Sequence, residues 1–252
     1  MIRTIVHGCN GKMGQVIIRL AKNDPDVQVV AGVDRNLNPI PNIPVYENLS
    51  SVQEEADVCI DFSHHSAIPD LVKTASEKKL PLVIATTGLG NDELAAIERA
   101  SKVIPIFTSA NMSLGINLLI NLVKEATRVL ADTSDIEIIE KHHNQKLDAP
   151  SGTALMIANA INKELDNQMQ FVYGRNSKTQ KREKNEIGIL ALRGGTIVGE
   201  HQVIFAGKDE ILEIKHQALS RDIFGFGALK AAKFIVGKEP GLYTIKDLIE
   251  KG

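Results

Sequence analysis

The stretch from Glu140 to Ala154 carries the densest set of groups in this chain that can transfer protons or bind an anion. It reads Glu-Lys-His-His-Asn-Gln-Lys-Leu-Asp-Ala-Pro-Ser-Gly-Thr-Ala. A helix is predicted to begin at its Ser-Gly-Thr end, where free backbone amides and a hydroxyl bind carboxylate oxygens. Two histidines and Lys146 add cationic or proton-donating groups beside that anion site. Together these groups predict a pocket for a small dicarboxylate that undergoes proton-coupled chemistry.

Each of these groups also has an ordinary structural interpretation. Adjacent residues of a strand face opposite sides of a sheet, so one of His142 and His143 is expected to be structural. Ser151 or Thr153 would then be a plain helix cap, and Lys146 a solvated surface residue. The same alternation argues against a metal site, because adjacent histidines do not easily point at one ion. We therefore expect no metal.

A second candidate site lies at the start of the chain, where a predicted strand turns into a helix. The turn has glycines at positions 8, 11 and 14, a spaced variant of the dinucleotide-binding fingerprint. Glycine lets the backbone approach a pyrophosphate, and the helix N-terminus supplies amides and positive potential. The next strand ends at Asp34, whose carboxylate would accept hydrogen bonds from the adenosine ribose. We interpret this segment as a dinucleotide site rather than as a turn without a ligand.

The residues near Asp34 bear on which nicotinamide cofactor is used. The Asp34 carboxylate suits NADH, whereas the guanidinium of Arg35 suits the 2′-phosphate of NADPH, which Lys12 would also reach. Simple surface charge is an equally good interpretation of Arg35 and Lys12. We predict that both NADH and NADPH are used. Two later strand ends, Ala85–Gly88 and Ser109–Met112, carry small hydroxyl residues that would touch the nicotinamide ribose, although ordinary turn chemistry is the simpler interpretation of each alone.

Strands and helices alternate in the first half of the chain, which predicts βαβ units and a parallel sheet. The pattern changes near Asn111. A long helix is predicted over Leu114–Leu130, an alternating strand follows from Asp135, and three consecutive strand patterns follow Ile187. We therefore expect an α/β protein whose N-terminal Rossmann-type parallel sheet is interrupted by an α+β mixed-sheet domain for substrate binding and oligomerisation.

The predicted dinucleotide-binding domain comprises residues 1–112 and 222–252, and the predicted substrate and oligomerisation domain comprises residues 113–221.

Composition limits the classes of function. The 252 residues are 43% hydrophobic and 24% charged with a net charge of −2, which is an ordinary globular profile and an unlikely one for a nucleic-acid-binding protein. Cys9 and Cys59 form no CxxC motif, and a disulfide framework would need more cysteines. No signal-peptide pattern and no apolar stretch of membrane-spanning length occur. We expect a cytoplasmic protein without membrane or nucleic-acid partners.

The motifs together resemble the 4-hydroxy-tetrahydrodipicolinate reductase family, long called dihydrodipicolinate reductase. The matching blocks follow one another in order over nearly the whole chain, and the run from His142 to Thr153 is the most specific of them. The other blocks are Gly8–Gly14, Ala85–Gly88, Ser109–Gly115, Arg193–His201 and Ser220–Ala232. The resemblance implies an NAD(P)H-dependent reductase of the diaminopimelate route to lysine, in bacteria or plants. It also implies a homotetramer, since similar enzymes pair their open sheets.

The resemblance implies a role for each matching residue. His142 matches a proton donor or acceptor, and Lys146 matches the proton donor. Substrate contacts match His143, Gly152 and Thr153, and we include Ser151 at the predicted helix start with them. The implied cofactor contacts are Gly8, Cys9, Asn10, Gly11, Lys12, Met13, Asp34, Arg35, Ala85, Thr86, Thr87, Ser109, Ala110, Asn111 and Met112.

Two rival functions share the glycine turn. One is a different two-domain dehydrogenase, for example one acting on an amino acid, and the other is a non-catalytic sensor of NAD(P)H. Neither needs the groups between His142 and Thr153, so the presence of all of them favours the reductase.

Overall fold

The computed structural model describes the backbone of residues 1–251 and the side chains of residues 1–249, and the chain divides into two compact units, 1–114 with 221–252, and 115–220. The strands are β1 (Ile2–His7), β2 (Val27–Val33), β3 (Val45–Tyr46), β4 (Val58–Asp61), β5 (Leu82–Ile84), β6 (Pro105–Thr108), β7 (Asp135–His142), β8 (Gln170–Tyr173), β9 (Glu186–Arg193), β10 (Gly199–Ala206), β11 (Ile211–Ala218) and β12 (Gly241–Tyr243). The helices are α1 (Lys12–Ala21), α2 (Ile68–Lys78), α3 (Asn91–Ser101), α4 (Leu114–Leu130), α5 (Gly152–Glu164), α6 (Asp222–Ile235) and α7 (Ile245–Lys251).

The first unit is built on a parallel sheet with the strand order β12-β6-β5-β4-β1-β2-β3. Alternate strand residues supply two separate apolar clusters, one on each face. Val6 and Ile60 pack with α1 and α6, whereas Ile5 and Cys59 pack with α2 and α3. The strand order reverses between β1 and β4. In open parallel sheets ligands bind at the carboxyl ends of strands at such a point.

The second unit is a mixed sheet with the order β11-β10-β7-β9-β8, in which β10 is antiparallel to β7 and β11 while β7, β9 and β8 are parallel. In β7 every second residue is buried, beginning with Ile136 and Ile138, and these side chains pack against apolar residues of α4 and α5. Further along the same strand Glu140 and His142 occupy the same buried face. Strand periodicity thus places two titratable groups in the core.

The predicted fold class is confirmed: a parallel α/β sheet precedes and follows a separate mixed sheet. The predicted long helix over Leu114–Leu130 is present with those bounds. Strands β3, β8 and β12, of two to four residues, were not predicted, because so few residues show no periodicity. Within residues 1–251 no helix has both the length and the hydropathy needed to cross a bilayer.

Candidate functional site

The glycine turn after β1 is shaped by two close backbone approaches. Gly8 has a φ of +79°, and a Cβ there would lie 2.7 Å from the carbonyl oxygen of Phe62. A Cβ on Gly14 would lie 2.2 Å from the carbonyl oxygen of Gly8, so the first turn of α1 packs directly on the loop. The amide of Gly11 donates to the carbonyl of Gly8 at 3.0 Å. Glycine is therefore required at positions 8 and 14 for the turn to close.

The N-terminus of α1 has the features of an anion site. Gly11 is its N-cap and provides no side-chain hydrogen bond, and the first turn holds no acidic residue. Cys9 is fully buried, and its sulfur lies 2.6 Å from the position that a Cβ on Gly32 would take. Burial raises the pKa of the Cys9 thiol to about 11, so it stays neutral. The positive end of the helix therefore faces no neighbouring anion on its own first turn.

Asp34 lies beside this turn at the end of β2. Its two carboxylate oxygens accept from the backbone amides of Asn10 and Asn36, each at 2.9 Å. Arg35 is exposed and lines a cavity of about 560 Å³ together with His7, Asp70 and other residues. The structure thus brings the predicted ribose acceptor against the glycine loop and places the predicted phosphate-binding arginine on an adjoining cavity.

Asp61, at the end of β4, is a buried carboxylate that the predicted site did not include. One oxygen contacts His7 Nδ1 at 2.8 Å, and the other accepts from the hydroxyl of Thr86 at 2.6 Å. Thr86 and Ala85 are buried, whereas Thr87 is exposed. Of the three predicted contacts in this loop, Thr86 is thus held by the protein itself. The sequence signal that could have indicated this residue is an aspartate at the end of the apolar strand Val58–Asp61.

The loop from Ser109 to Met112 forms a compact turn at the end of β6. The Ser109 hydroxyl donates to the carbonyl of Asn111 at 2.8 Å, and the amide of Ser113 donates to the Asn111 side chain at 2.9 Å. Asn111 and Met112 are buried, and Ala110 is exposed. A Cβ on Gly227 of α6 would lie 1.8 Å from the Met112 carbonyl oxygen, so this helix supports the loop through a glycine. Gly227 belongs to the matching block Ser220–Ala232, so part of that block is explained by this contact.

In the second unit, Glu140 is fully buried and accepts four hydrogen bonds. Arg193 of β9 donates to both carboxylate oxygens, at 2.7 Å each. The Ser151 amide donates to one oxygen at 2.9 Å, and His142 Nδ1 lies 2.6 Å from the other. Burial alone would raise the pKa of Glu140, but the hydrogen bonds from Arg193, His142 and Ser151 outweigh it and hold the pKa below its usual value. Glu140 is therefore an ionised carboxylate in the core.

Two buried imidazoles lie next to this carboxylate. Burial lowers the pKa of His142, and the positive charges of Lys146 and Arg193 lower it further against the opposing effect of Glu140. His201 of β10 lies with its ring 5.2 Å from that of His142, and burial lowers its pKa to about 4. Both imidazoles are therefore neutral at neutral pH.

Lys146 lies in the loop between β7 and α5. Its amide donates to the carbonyl of His143 at 3.2 Å, and its Nζ donates to Asp148 Oδ1 at 2.8 Å. The Lys146 side chain is 22% exposed, and that of Asp148 is 58% exposed. Asp148 was in the predicted segment but not in the predicted site. The structure shows it as the partner of the lysine ammonium.

The start of α5 carries the predicted anion site. Ser151 is the N-cap, and its hydroxyl oxygen accepts from the Ala154 amide at 3.1 Å and contacts His201 Nε2 at 3.0 Å. Ser151 is 2% exposed. Gly152 is exposed, and a Cβ there would meet no atom within 4 Å. The helix start therefore has open space at Gly152, while the oxygen of Ser151 is used within the core.

Two family models match the chain nearly end to end. Residues 2–112 match the model described as dihydrodipicolinate reductase, N-terminus, and residues 115–249 match the model described as dihydrodipicolinate reductase, C-terminus. The chain belongs to the dihydrodipicolinate reductase family. The resemblance inferred from the motifs is confirmed.

Individual members of the dihydrodipicolinate reductase family are also similar over their full length. A 4-hydroxy-tetrahydrodipicolinate reductase of Caldanaerobacter subterraneus subsp. tengcongensis is 64% identical over 252 residues, covering 100% of both chains. One of Clostridium tetani is 51% identical, covering 97% of this chain and 96% of the relative. The solved dipicolinate-bound dihydrodipicolinate reductase from Paenisporosarcina sp. TG-14 is 25% identical, with a TM-score of 0.82 and 97% of each chain covered.

Aspartate dehydrogenase from Thermotoga maritima shares the fold alone. It is 12% identical with a TM-score of 0.52, covering 95% of this chain and 98% of that one. The same fold therefore occurs in an aspartate dehydrogenase. The family models, and not the fold, separate this chain from that rival function.

Proposed function

We propose that this enzyme reduces 4-hydroxy-tetrahydrodipicolinate to tetrahydrodipicolinate with NADH or NADPH, in the diaminopimelate route to lysine. The observation that carries the proposal is the grouping of His142, Lys146 and the open start of α5 within one unit. Lys146 is close enough to affect the pKa of both His142 and His201. The curated relatives that bear the name of this reductase support the same reaction.

The dicarboxylate is held by the second unit. One substrate carboxylate takes the amides of Gly152 and Thr153 at the positive end of α5, together with the Thr153 hydroxyl. Gly152 leaves room for it, because nothing lies within 4 Å of its Cβ position. His143 and Ser151 complete the proposed substrate contacts. The similar Paenisporosarcina reductase has dipicolinate bound, which supports a planar dicarboxylate ligand in this fold.

In the proposed reaction the substrate loses its hydroxyl together with one ring hydrogen as water, and one hydride and one proton are then added. When bound, the nicotinamide supplies the hydride, to ring carbon C4 of the substrate. Negative charge then moves into the ring, and the Lys146 ammonium donates the proton. Asp148 holds this lysine near the loop until substrate arrives. His142, neutral beside Lys146, assists this transfer.

The residues of the first unit fit a dinucleotide. The cradle formed by Gly8 and Gly14 has no room for side chains, as a close-approaching pyrophosphate requires. The uncapped start of α1, with Cys9 to Met13, would receive the phosphates, and Asp34 the ribose hydroxyls. Arg35 beside Asp34 would bind a 2′-phosphate, which supports use of both cofactors. We place the enzyme in the cytoplasm, where both reduced cofactors are available.

We also propose a homotetramer assembled through the open face of the mixed sheet. The strand register aligns apolar side chains on the face opposite α4 and α5, and Leu190, Leu192 and Ile211 are 40%, 47% and 66% exposed there. Ile139 and Ile204 are half-buried on the same face. Exposed apolar side chains grouped on an open sheet face are a hazard for aggregation unless another copy covers them.

The test of function couples the purified enzyme to the upstream synthase with aspartate semialdehyde and pyruvate, and follows the absorbance of NADH or NADPH. We expect synthase-dependent oxidation of both cofactors, abolished by heat-inactivating the enzyme. Binding of cofactor without any synthase-dependent oxidation would instead indicate a sensor. Reduction of NAD⁺ or NADP⁺ by an amino acid, with no synthase present, would indicate the rival dehydrogenase.

A further inference from the structure

The carboxylate of Glu140 is fully buried in the second unit, and all four of its hydrogen-bonding contacts come from the protein. Oε1 accepts from Arg193 Nη2 and the Ser151 amide, and Oε2 accepts from Arg193 Nη1. The fourth contact is His142 Nδ1, at 2.6 Å from Oε2. Three elements, β7, β9 and the start of α5, therefore converge on one side chain that touches a proposed catalytic histidine.

The ionisation of Glu140 determines which nitrogen of His142 carries hydrogen. A carboxylate that accepts a bidentate arginine and a backbone amide has no proton to donate. At 2.6 Å the remaining contact must therefore be a hydrogen bond donated by His142 Nδ1. In a neutral imidazole the other nitrogen, Nε2, is then bare and accepts.

The surroundings of Nε2 are consistent with that role. A Cβ on Gly199 of β10 would lie 3.1 Å from Nε2, so a side chain at this position would crowd the nitrogen. His201, on the same strand, lies ring edge to ring face with His142. The positive charge of Lys146 lowers the pKa of His142, so this lysine lies close enough to interact with the imidazole. Glycine at position 199 keeps the edge of the ring that carries Nε2 open.

We propose that Glu140 is a positioning residue, which holds His142 with its hydrogen on Nδ1 and so presents Nε2 as a hydrogen-bond acceptor to Lys146 and the substrate. Arg193 and the Ser151 amide fix the carboxylate in turn. His142 then receives a hydrogen bond during the reaction and does not act as an imidazolium donor. This inference rests on the proposed function of His142, and it names a residue that the motif comparison did not assign.

The first test is made on the wild-type enzyme. Long-range nitrogen–proton NMR of protein labelled with ¹⁵N-histidine distinguishes the two tautomers, and His142→Ala assigns the signal. We expect a protonated Nδ1 and a bare Nε2 at neutral pH. Hydrogen on Nε2 would overturn the inference, whether or not any Glu140 variant folds.

The second test uses Glu140→Gln, which keeps the shape but allows the side-chain amide to donate to Nδ1. We expect kcat to fall about 10- to 100-fold, with KM and the Kd for NADPH within about twofold, and the tautomer to shift towards Nε2–H. The matched control is Glu200→Gln. Glu200 is a buried glutamate of β10 that pairs with Lys141 and Lys215 instead of a histidine. The control is expected to leave both the tautomer and kcat unchanged.

A double substitution separates this inference from the proposed function. If Glu140 acts through His142, Glu140→Gln adds no further loss of kcat to His142→Ala. Additive losses, or a wild-type rate for Glu140→Gln beside a slow His142→Ala, would overturn the inference alone. A wild-type rate for His142→Ala would instead overturn the proposed function of the histidine.

Discussion

Lys146 is a cationic side chain whose ion-pair partner, Asp148, lies two residues away and is exposed. Its Nζ donates to Asp148 at 2.8 Å, and because Asp148 is largely exposed this contact can exchange for a substrate group. A surface ion pair of this kind contributes about 0–1 kcal/mol, so releasing the lysine costs little. The ion pair therefore keeps the lysine near the proposed anion site, and the lysine can leave Asp148 to contact a substrate.

Replacing this lysine tests its proposed part in the chemistry. We expect Lys146→Met, which keeps the bulk and removes the proton, to slow hydride transfer by about 10²- to 10⁴-fold. Cofactor affinity should not change, because the lysine belongs to the second unit and the dinucleotide residues to the first. Single-turnover kinetics and NADPH titration measure the two effects.

The control for this substitution is Lys163→Met, at an exposed position on α5. It should turn over at the wild-type rate. Near-normal hydride transfer by Lys146→Met would eliminate the lysine as the acid.

Asp34 and Arg35 are predicted to set cofactor preference in opposite directions. Arg35→Ala should weaken NADPH binding by about 1–3 kcal/mol and leave NADH binding nearly unchanged, because only NADPH has a 2′-phosphate. Asp34→Ala should weaken NADH more than NADPH. It should also weaken both somewhat, since this carboxylate holds the Asn10 amide in the glycine turn. Fluorescence titration with each cofactor provides the affinities.

Exposed Arg99 on α3 supplies the control, Arg99→Ala, which should bind both cofactors as the wild type does. Equal losses for NADH and NADPH in both test variants would contradict the assignment.

At the scale of elements, the buried face of β7 and β10 carries histidines that are neutral in the fold. In the unfolded chain the same histidines would bind protons at mildly acidic pH. The pKa of His201 is about 4 in the fold because of burial, against about 6.5 in an unfolded chain. Between these values the unfolded state binds more protons, so acidification favours unfolding. The pKa values of His142 and His216 are also lowered by burial and act in the same direction. Stability should therefore fall as pH drops below about 6.5.

Replacement of His201 tests this pH dependence. From pH 7 to pH 5 this residue alone should cost about 2 kcal/mol of unfolding free energy, and His201→Gln should lose that much less over the same interval. Hydrogen exchange of the β10 amides measures the local free energy directly. The control is His64→Gln, at an exposed position, which should follow the wild-type curve. An unchanged pH dependence in His201→Gln would rule out this imidazole as the source.

At the scale of the whole molecule, the proposed homotetramer depends on the open face of the mixed sheet. We expect the wild-type enzyme to have the mass of four chains in light scattering after size-exclusion chromatography. Leu192→Glu should dissociate it or reduce its mass, because a charge would replace an apolar side chain in the buried interface. Leu94→Glu on α3, where the leucine is 49% exposed, should keep the wild-type mass. A monomeric wild type would contradict the proposed assembly.

Much of this molecule follows from short-range sequence patterns. Glycines at 8, 11 and 14 predict a turn, and the close contacts of Gly11 and Gly14 with Gly8 arise within a few residues. Ser151 ahead of Gly152 predicts a helix start, and strand alternation places His142 on the buried face of β7. The α/β class, the long helix α4 and the family resemblance were accessible for the same reason. Local periodicity and motif spacing depend only on residues that are close together in the sequence.

Only the tertiary structure decided which side chains from distant segments form hydrogen bonds with one another. Arg193 reaches Glu140 across 53 positions, and His201 reaches Ser151 across 50, so both contacts depend on strand register in the mixed sheet. Asp61 meets Thr86 because β4 and β5 are neighbours in the parallel sheet. Sequence spacing alone does not specify such pairs, since register is set by the packing of whole apolar faces against helices. The burial that lowers the pKa of His142 and His201 arises from the same packing.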